Sequence, residues 1–220
     1  MTASLIEPNQ VKRPQANGPQ ANRPSVLDRV KGQAEVLKWR LRGMPSPPPH
    51  AVKVDVISSA ARQFGCKTLV ETGTYLGDMI ARTRHLFDRL YTIEVDPTLH
   101  ANACARFSTD PAVTVLLGDS AHELPKILEQ LTTPAFFWLD GHYSGGETGK
   151  GDLDTPIQTE VELILRHPVR GHVILVDDAR LFVGQNDYPT LDGFRQQLER
   201  LCSTYTFSVA SDIIRFVPAV

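Results

Sequence analysis

Lys67-Thr68-Leu69-Val70-Glu71-Thr72-Gly73-Thr74-Tyr75-Leu76-Gly77-Asp78 is the stretch whose reading decides the fold. Its opening residues form the short apolar run that a buried parallel strand requires. Met79-Ile80-Ala81-Arg82, just beyond it, reads as the first turn of a helix. A strand, a glycine-bearing turn and a helix make the place where α/β folds hold a small ligand. Gly73 lets a ligand come close to the backbone, and Gly77 lets the helix pack closely. Glu71 stands at the carboxyl end of the strand, where its carboxylate can face a cation or a ring of hydroxyls. The spacing is Glu-x-Gly-x-x-x-Gly, not the G-x-G-x-x-G of a dinucleotide-binding turn, so it suits a ligand without phosphate. Taken alone, the same pattern fits an ordinary glycine-containing strand–helix turn.

Outward from this turn, strand and helix patterns alternate. Strands are expected at 67–72, 90–95, 113–117, 135–140 and 172–178, with helices at 78–88, 97–108, 121–130, from Thr155 to Arg166 and at 190–201. Pro97 suits a helix start, and Ser120 with Glu123 forms an S-x-x-E capping box. Thr155, Pro156 and Gln158 repeat that capping pattern. Tyr205, Phe207 and Val209 alternate with polar residues before a second run, Ile213 to Val217, which predicts an antiparallel pair on a sheet edge. The expected architecture is α/β, a three-layer sandwich around a mostly parallel seven-stranded sheet with that antiparallel C-terminal edge pair.

Upstream, residues 1–24 are rich in Pro, Asn and Gln and are expected to be a disordered tail. Residues 25–49 read as an accessory helix, a packing element or dimer contact, followed by a Pro-rich linker. Residues 50–220 form the main domain, beginning with a helix from His50 to Phe64 that Gly65 closes. A net charge of -2, from 23 basic and 25 acidic residues, disfavours nucleic acid or an anionic membrane as partner. Cys66, Cys104 and Cys202 read as buried thiols of a reducing compartment, and a cytoplasmic location is expected.

The strand ends carry the chemistry. After Glu71 come Tyr91-Thr92-Ile93-Glu94-Val95-Asp96-Pro97, Gly118-Asp119-Ser120, Trp138-Leu139-Asp140-Gly141-His142-Tyr143 and Asp177-Asp178. Glu94 follows the glycine turn by about twenty residues, where an acid on the second strand meets ribose hydroxyls. Asp96 precedes a proline and is better placed as a helix N-cap. The loop 141–154, rich in glycine, reads as a lid or as a plain connector; Gly-Glu-Thr-Gly-Lys within it fails the phosphate-loop pattern, because Ser144 and Gly151 stand at its required positions.

Together these motifs resemble the class I S-adenosylmethionine-dependent methyltransferases, with their Rossmann-like fold. The similarity is to the metal-dependent catechol O-methyltransferase type and to enzymes that methylate the sugars of antibiotics. It covers residues 50 to 217. The resemblance implies an O-methyltransferase acting on a hydroxyl of a small sugar-like or phenolic molecule. It implies that Glu71, Gly73, Tyr75 and Gly77 surround the methionine part of S-adenosylmethionine, that Glu94 holds the ribose, and that Asp119 and Ser120 border the adenine. Asp140, Asp177 and Asp178 would hold a divalent cation, a hard ion with Mg²⁺ foremost. The chain has Asp177-Asp178 where the catechol type has Asp-Asn, and Tyr143 where it carries a lysine base. His142 is then the first candidate base, ahead of Tyr143 and Lys150, with Asp140 beside it as a catalytic residue. A hydroxylase-like enzyme on the same scaffold and a non-catalytic cofactor-binding subunit are the alternatives.

Overall fold

The computed structural model describes residues 26–141 and 155–219. The first helix, α1 (Val26–Leu41), leans on α2 (His50–Phe64), which ends where Gly65 takes a left-handed conformation and its N–H bonds to the Ala61 carbonyl. The alternating part runs β1 (Thr68–Thr72), α3 (Asp78–Thr83), β2 (Arg89–Glu94), α4 (Pro97–Phe107), β3 (Val113–Leu117), α5 (Ser120–Leu128) and β4 (Phe136–Leu139). It continues with α6 (Ile157–Arg166), β5 (Val173–Val176), α7 (Leu191–Leu201), β6 (Tyr205–Ala210) and β7 (Ile213–Pro218). One sheet holds the seven strands in the order β3-β2-β1-β4-β5-β7-β6. The first five are parallel, whereas β7 runs antiparallel to both β5 and β6.

The central strands are buried on both faces because their neighbours above and below are helices. Along β4 the side chains alternate: Phe136 and Trp138 join the layer of Ile57, Ile80 and Phe107, while Phe137 and Leu139 join that of Leu124, Val161 and Phe194. An unbroken apolar run thus serves two cores at once, which makes three layers. On α1, Trp39 is buried and its indole N–H donates to the Pro45 carbonyl at 2.7 Å, but Val30, Leu37 and Leu41 stay exposed.

Three local expectations change. The helix expected over 78–88 stops at Thr83 and tightens into a 3-10 turn, Arg84–Leu86. Arg84 turns its guanidinium back to both oxygens of the Asp110 carboxylate, at 2.6 and 3.0 Å, and to the Phe87 carbonyl at 2.9 Å. The cap of α5 is Asp119, which accepts the Ala121 N–H at 2.8 Å, so Ser120 is the first helical residue. Of the cysteines only Cys66 is buried; Cys104 is exposed and Cys202 partly so. Asp96 caps α4 as expected, accepting the N–H groups of Thr98 and Leu99 at 2.8 Å each. Among the described residues no helix is long and apolar enough to cross a membrane.

Candidate active site

Parallel strands put all their carboxyl ends on one rim, and the strand order reverses between β1 and β4. At such a reversal the helices leave in opposite directions and open a crevice. The turn after β1 is pinned there from both sides. The N–H groups of Gly73 and Thr74 bond to the Ile93 carbonyl at 3.0 and 3.3 Å, and Asp140 N–H bonds to the Thr72 carbonyl at 3.1 Å. Gly73 has φ +83°, and a Cβ on it would lie 2.5 Å from the Asp140 carbonyl oxygen. The close approach that Gly73 permits is therefore first of all that of the β4 backbone. Gly77 permits another: a Cβ there would lie 2.8 Å from the ring of Phe107 on α4.

Glu94, at the end of β2, is 5% exposed. One of its oxygens accepts Tyr75 N–H at 2.8 Å and the other accepts Asp96 N–H at 3.0 Å. The carboxylate thus ties the glycine turn to the loop before α4, and each oxygen keeps a lone pair for a further donor. Tyr75 sits in a left-handed conformation with its side chain exposed. Glu71 is more enclosed than a ligand-facing carboxylate needs. It accepts the Thr92 hydroxyl at 2.6 Å, and burial, against that hydrogen bond and with the Glu94 charge, pushes its pKa up to about 8. Near neutral pH it is a protonated acid holding β1 to β2. Glu71, Glu94 and Asp140 nevertheless share one rim, where Glu71 feels the Glu94 charge and Asp140 feels that of Glu71.

Asp140, Asp177 and Asp178 also converge, but not on open space. Lys53 of α2 reaches across the ends of β4 and β5, and its ammonium donates to the Asp177 carboxylate, with Asp178 at 3.9 Å. Burial works against the Lys53 charge, yet Asp177, Asp140 and Asp178 outweigh it and hold its pKa above the ordinary lysine value. Asp178, in a left-handed conformation, accepts Arg180 at 2.6 Å, and Arg180 also binds Asp212. Enclosure of its carboxyl and the nearby Asp177 charge keep Asp140 well above the usual carboxylate range. A divalent ion needs ionised oxygens about 2.0–2.6 Å away. Here one oxygen of Asp177 and one of Asp178 already face organic cations, and among the described residues no group of acids, histidines or cysteines is arranged to hold a metal. The donor set as folded does not fit the ion that the sequence resemblance brings with it.

Two residues at this rim carried no motif in the sequence. Lys53 is one. The other is Glu160 of α6, 1% exposed, which lines a small recess with Asp140, Gly141, Thr155 and Tyr188. Among the described residues its Oε1 has no hydrogen-bond partner, and burial, opposed by the Ser120 and Thr72 hydroxyls nearby, pushes its pKa up to about 7. Both were legible in principle, since each is a charged side chain on the apolar stripe of its helix: Lys53 with Ile57 and Ala61, Glu160 with Ile157 and Ile164.

Glu160 sets a pH dependence. The folded chain keeps its proton up to about pH 7, whereas the unfolded chain releases it near pH 4.5. Between those values the native state binds more protons, so stability falls as pH rises, by up to about 1.4 kcal/mol per pH unit for one group. Glu71 adds the same trend up to about pH 8. Glu160→Gln is expected to flatten the loss between pH 5 and 7, read as the change in urea midpoint across that range; an unchanged slope would refute the assignment.

His142, Tyr143, Lys150 and the lid reading of 141–154 fall, but for Gly141, outside the described residues. Asp119 and Ser120 stand at the start of α5, beyond the end of β3.

No family model matches the chain, and no curated protein sequence does either. Solved structures do match its fold. The O-methyltransferase TomG from Streptomyces achromogenes, involved in tomaymycin synthesis and solved with S-adenosylmethionine, aligns with a TM-score of 0.55 at 19% identity, covering 86% of this chain and 89% of that one. An O-methyltransferase from Bacillus cereus in complex with S-adenosylhomocysteine gives 0.55 at 19%, covering 85% and 90%. The S-adenosylhomocysteine-bound methyltransferase PaMTH1 from Podospora anserina gives 0.52 at 17%, covering 86% and 88%. At these identities the likeness is one of fold: the chain has the Rossmann-like fold of S-adenosylmethionine-dependent O-methyltransferases.

Proposed function

We propose that this chain is an S-adenosylmethionine-dependent O-methyltransferase acting on a hydroxyl of a small sugar-like or phenolic molecule. The observation that carries the reading is Glu94: a carboxylate fixed by two loop N–H groups beside the sheet's reversal point, with lone pairs free for a vicinal diol. The residues fit the cofactor. Glu94 would hold the ribose, the Gly73–Gly77 turn with Tyr75 the methionine part, and Asp119 with Ser120 the adenine edge. When bound, the cofactor would supply an electrophilic sulfonium methyl to the acceptor oxygen, with S-adenosylhomocysteine as leaving group and the hydroxyl proton going to the protein.

Asp140, whose carboxyl binds a proton more readily than an ordinary aspartate, stands at the rim to take up that proton. His142 follows it by two positions and shares that role in this reading. Buried side chains of β1, β4 and α6 keep water from the floor of the site. The transfer draws on no metal ion in this proposal, because Lys53 and Arg180 engage the acids that would hold one. The small-molecule acceptor rests on the balanced charge of the chain, which disfavours nucleic acid.

Isothermal titration with S-adenosylmethionine and S-adenosylhomocysteine tests the cofactor, and mass spectrometry of a hydroxylated acceptor panel tests the transfer. Micromolar binding and a product heavier by one methylene support the proposal. No cofactor binding ends it, and a product heavier by one oxygen assigns the scaffold to hydroxylation.

A further inference from the structure

We infer that Lys53 is a built-in cation that occupies the place of a divalent ion in the acid cluster, so that this chain binds no metal there until Lys53 is removed. The inference deepens the function proposed above and rests on it only for the reaction; the ion-binding claim stands on the cluster itself. Three observations carry it.

The first is reach. Lys53 lies on α2, outside the strand ends that supply the acids, yet its Nζ donates to an Asp177 oxygen whose side chain is wholly buried. An ion bound to Asp177 through that oxygen would have to sit where the ammonium now is. The second is convergence. Asp178 lies 3.9 Å from the same nitrogen, and the Asp140 charge acts on it as well, so one amine answers all three candidate ligands. The third is the fate of the remaining acid. Asp178 is also engaged by Arg180, on the same oxygen that faces Lys53, and Arg180 is itself anchored on Asp212, so a second organic cation holds that acid. Two fixed cations beside a prospective dication repel it, and the like-charge effect is strongest where water is excluded.

A tethered ammonium also differs from an ion in what it offers an acceptor. It donates hydrogen bonds from one point, with up to three N–H groups, and it cannot present several open coordination positions. An acceptor would then be oriented by hydrogen bonding to Lys53 and the acids rather than by chelation of neighbouring oxygens. Acceptors with a single hydroxyl are expected to serve as well as those with a vicinal pair.

Mn²⁺ alone is the probe, titrated into the full chain and followed by the electron paramagnetic resonance signal of the free ion. Wild type is expected to show no saturable site below about 1 mM, and Lys53→Met to gain one site at least tenfold tighter, lost again in the Lys53→Met, Asp177→Asn double variant. Lys53→Gln serves if the methionine variant does not fold, as judged by its circular dichroism melt. One tight Mn²⁺ per wild-type chain that Asp177→Asn abolishes would overturn the inference, and so would folded Lys53 variants that bind Mn²⁺ no better than wild type. None of these readings requires S-adenosylmethionine to bind. A chain that fails the cofactor titration and passes this one refutes the proposed function alone.

Discussion

Gly73→Ala is expected to destabilise the chain by about 3 kcal/mol or more and to abolish binding of S-adenosylhomocysteine. Two costs add. At φ +83° any side chain is strained, an effect of roughly 1 kcal/mol or more by itself. The second cost is contact. The new Cβ would sit 2.5 Å from the Asp140 carbonyl oxygen and 2.9 Å from its carbon, and both are backbone atoms of a strand end held by β1 and β5. A flexible side chain can swing away, but a strand paired on both sides cannot. Relief must come from the β1–α3 turn moving outward, which pulls Tyr75 N–H away from Glu94. Urea denaturation and calorimetry on the same preparation read both effects. Stability within about 0.5 kcal/mol of wild type would mean the two strand ends are not pressed together as described.

Glu94→Ala is expected to weaken S-adenosylhomocysteine binding by about 100-fold. Hydrogen bonds to a charged group contribute about 1.5–3 kcal/mol each, and two ribose hydroxyls would lose their common acceptor. The truncation also orphans the N–H groups of Tyr75 and Asp96, which loosens the turn that carries the rest of the pocket. Asp96→Ala is the control that separates ligand recognition from helix capping. It removes the acceptor for Thr98 and Leu99 N–H and should cost about 1 kcal/mol of stability, with affinity within a few-fold of wild type. If Asp96→Ala loses affinity and Glu94→Ala does not, the ribose role passes to Asp96.

The acid cluster shows where local reading reaches its limit. Asp140 and the Asp177-Asp178 pair follow strands, and following a parallel strand is enough to put a residue on the rim. What the acids face there depends on a residue 87 positions before Asp140 in the chain, since Lys53 enters from α2. Its helical face marks it as unusual, a charge among Ile57 and Ala61, but the partner of that charge is not written in α2. Glu160 is similar: the apolar stripe shows that it is buried, and only packing against Thr72 and Ser120 shows what surrounds it.

By itself the sequence determined the layer order, because period and length are local properties. Apolar runs of four to six residues alternating with amphipathic helices admit little other than a parallel sheet with helices on both faces, and Tyr205 to Val217 announce the antiparallel edge in the same way. It determined the rim too, since strand direction fixes which end of each strand carries Glu71, Glu94 and Asp140. The tertiary structure alone decided what those acids are bonded to. Glu71 became a protonated link to Thr92, Glu94 the clamp of two loops, and Asp177 the partner of an amine. Charge interactions act through space between groups far apart in the chain, so the pairing that sets their chemistry exists only once α2 lies across the ends of β4 and β5.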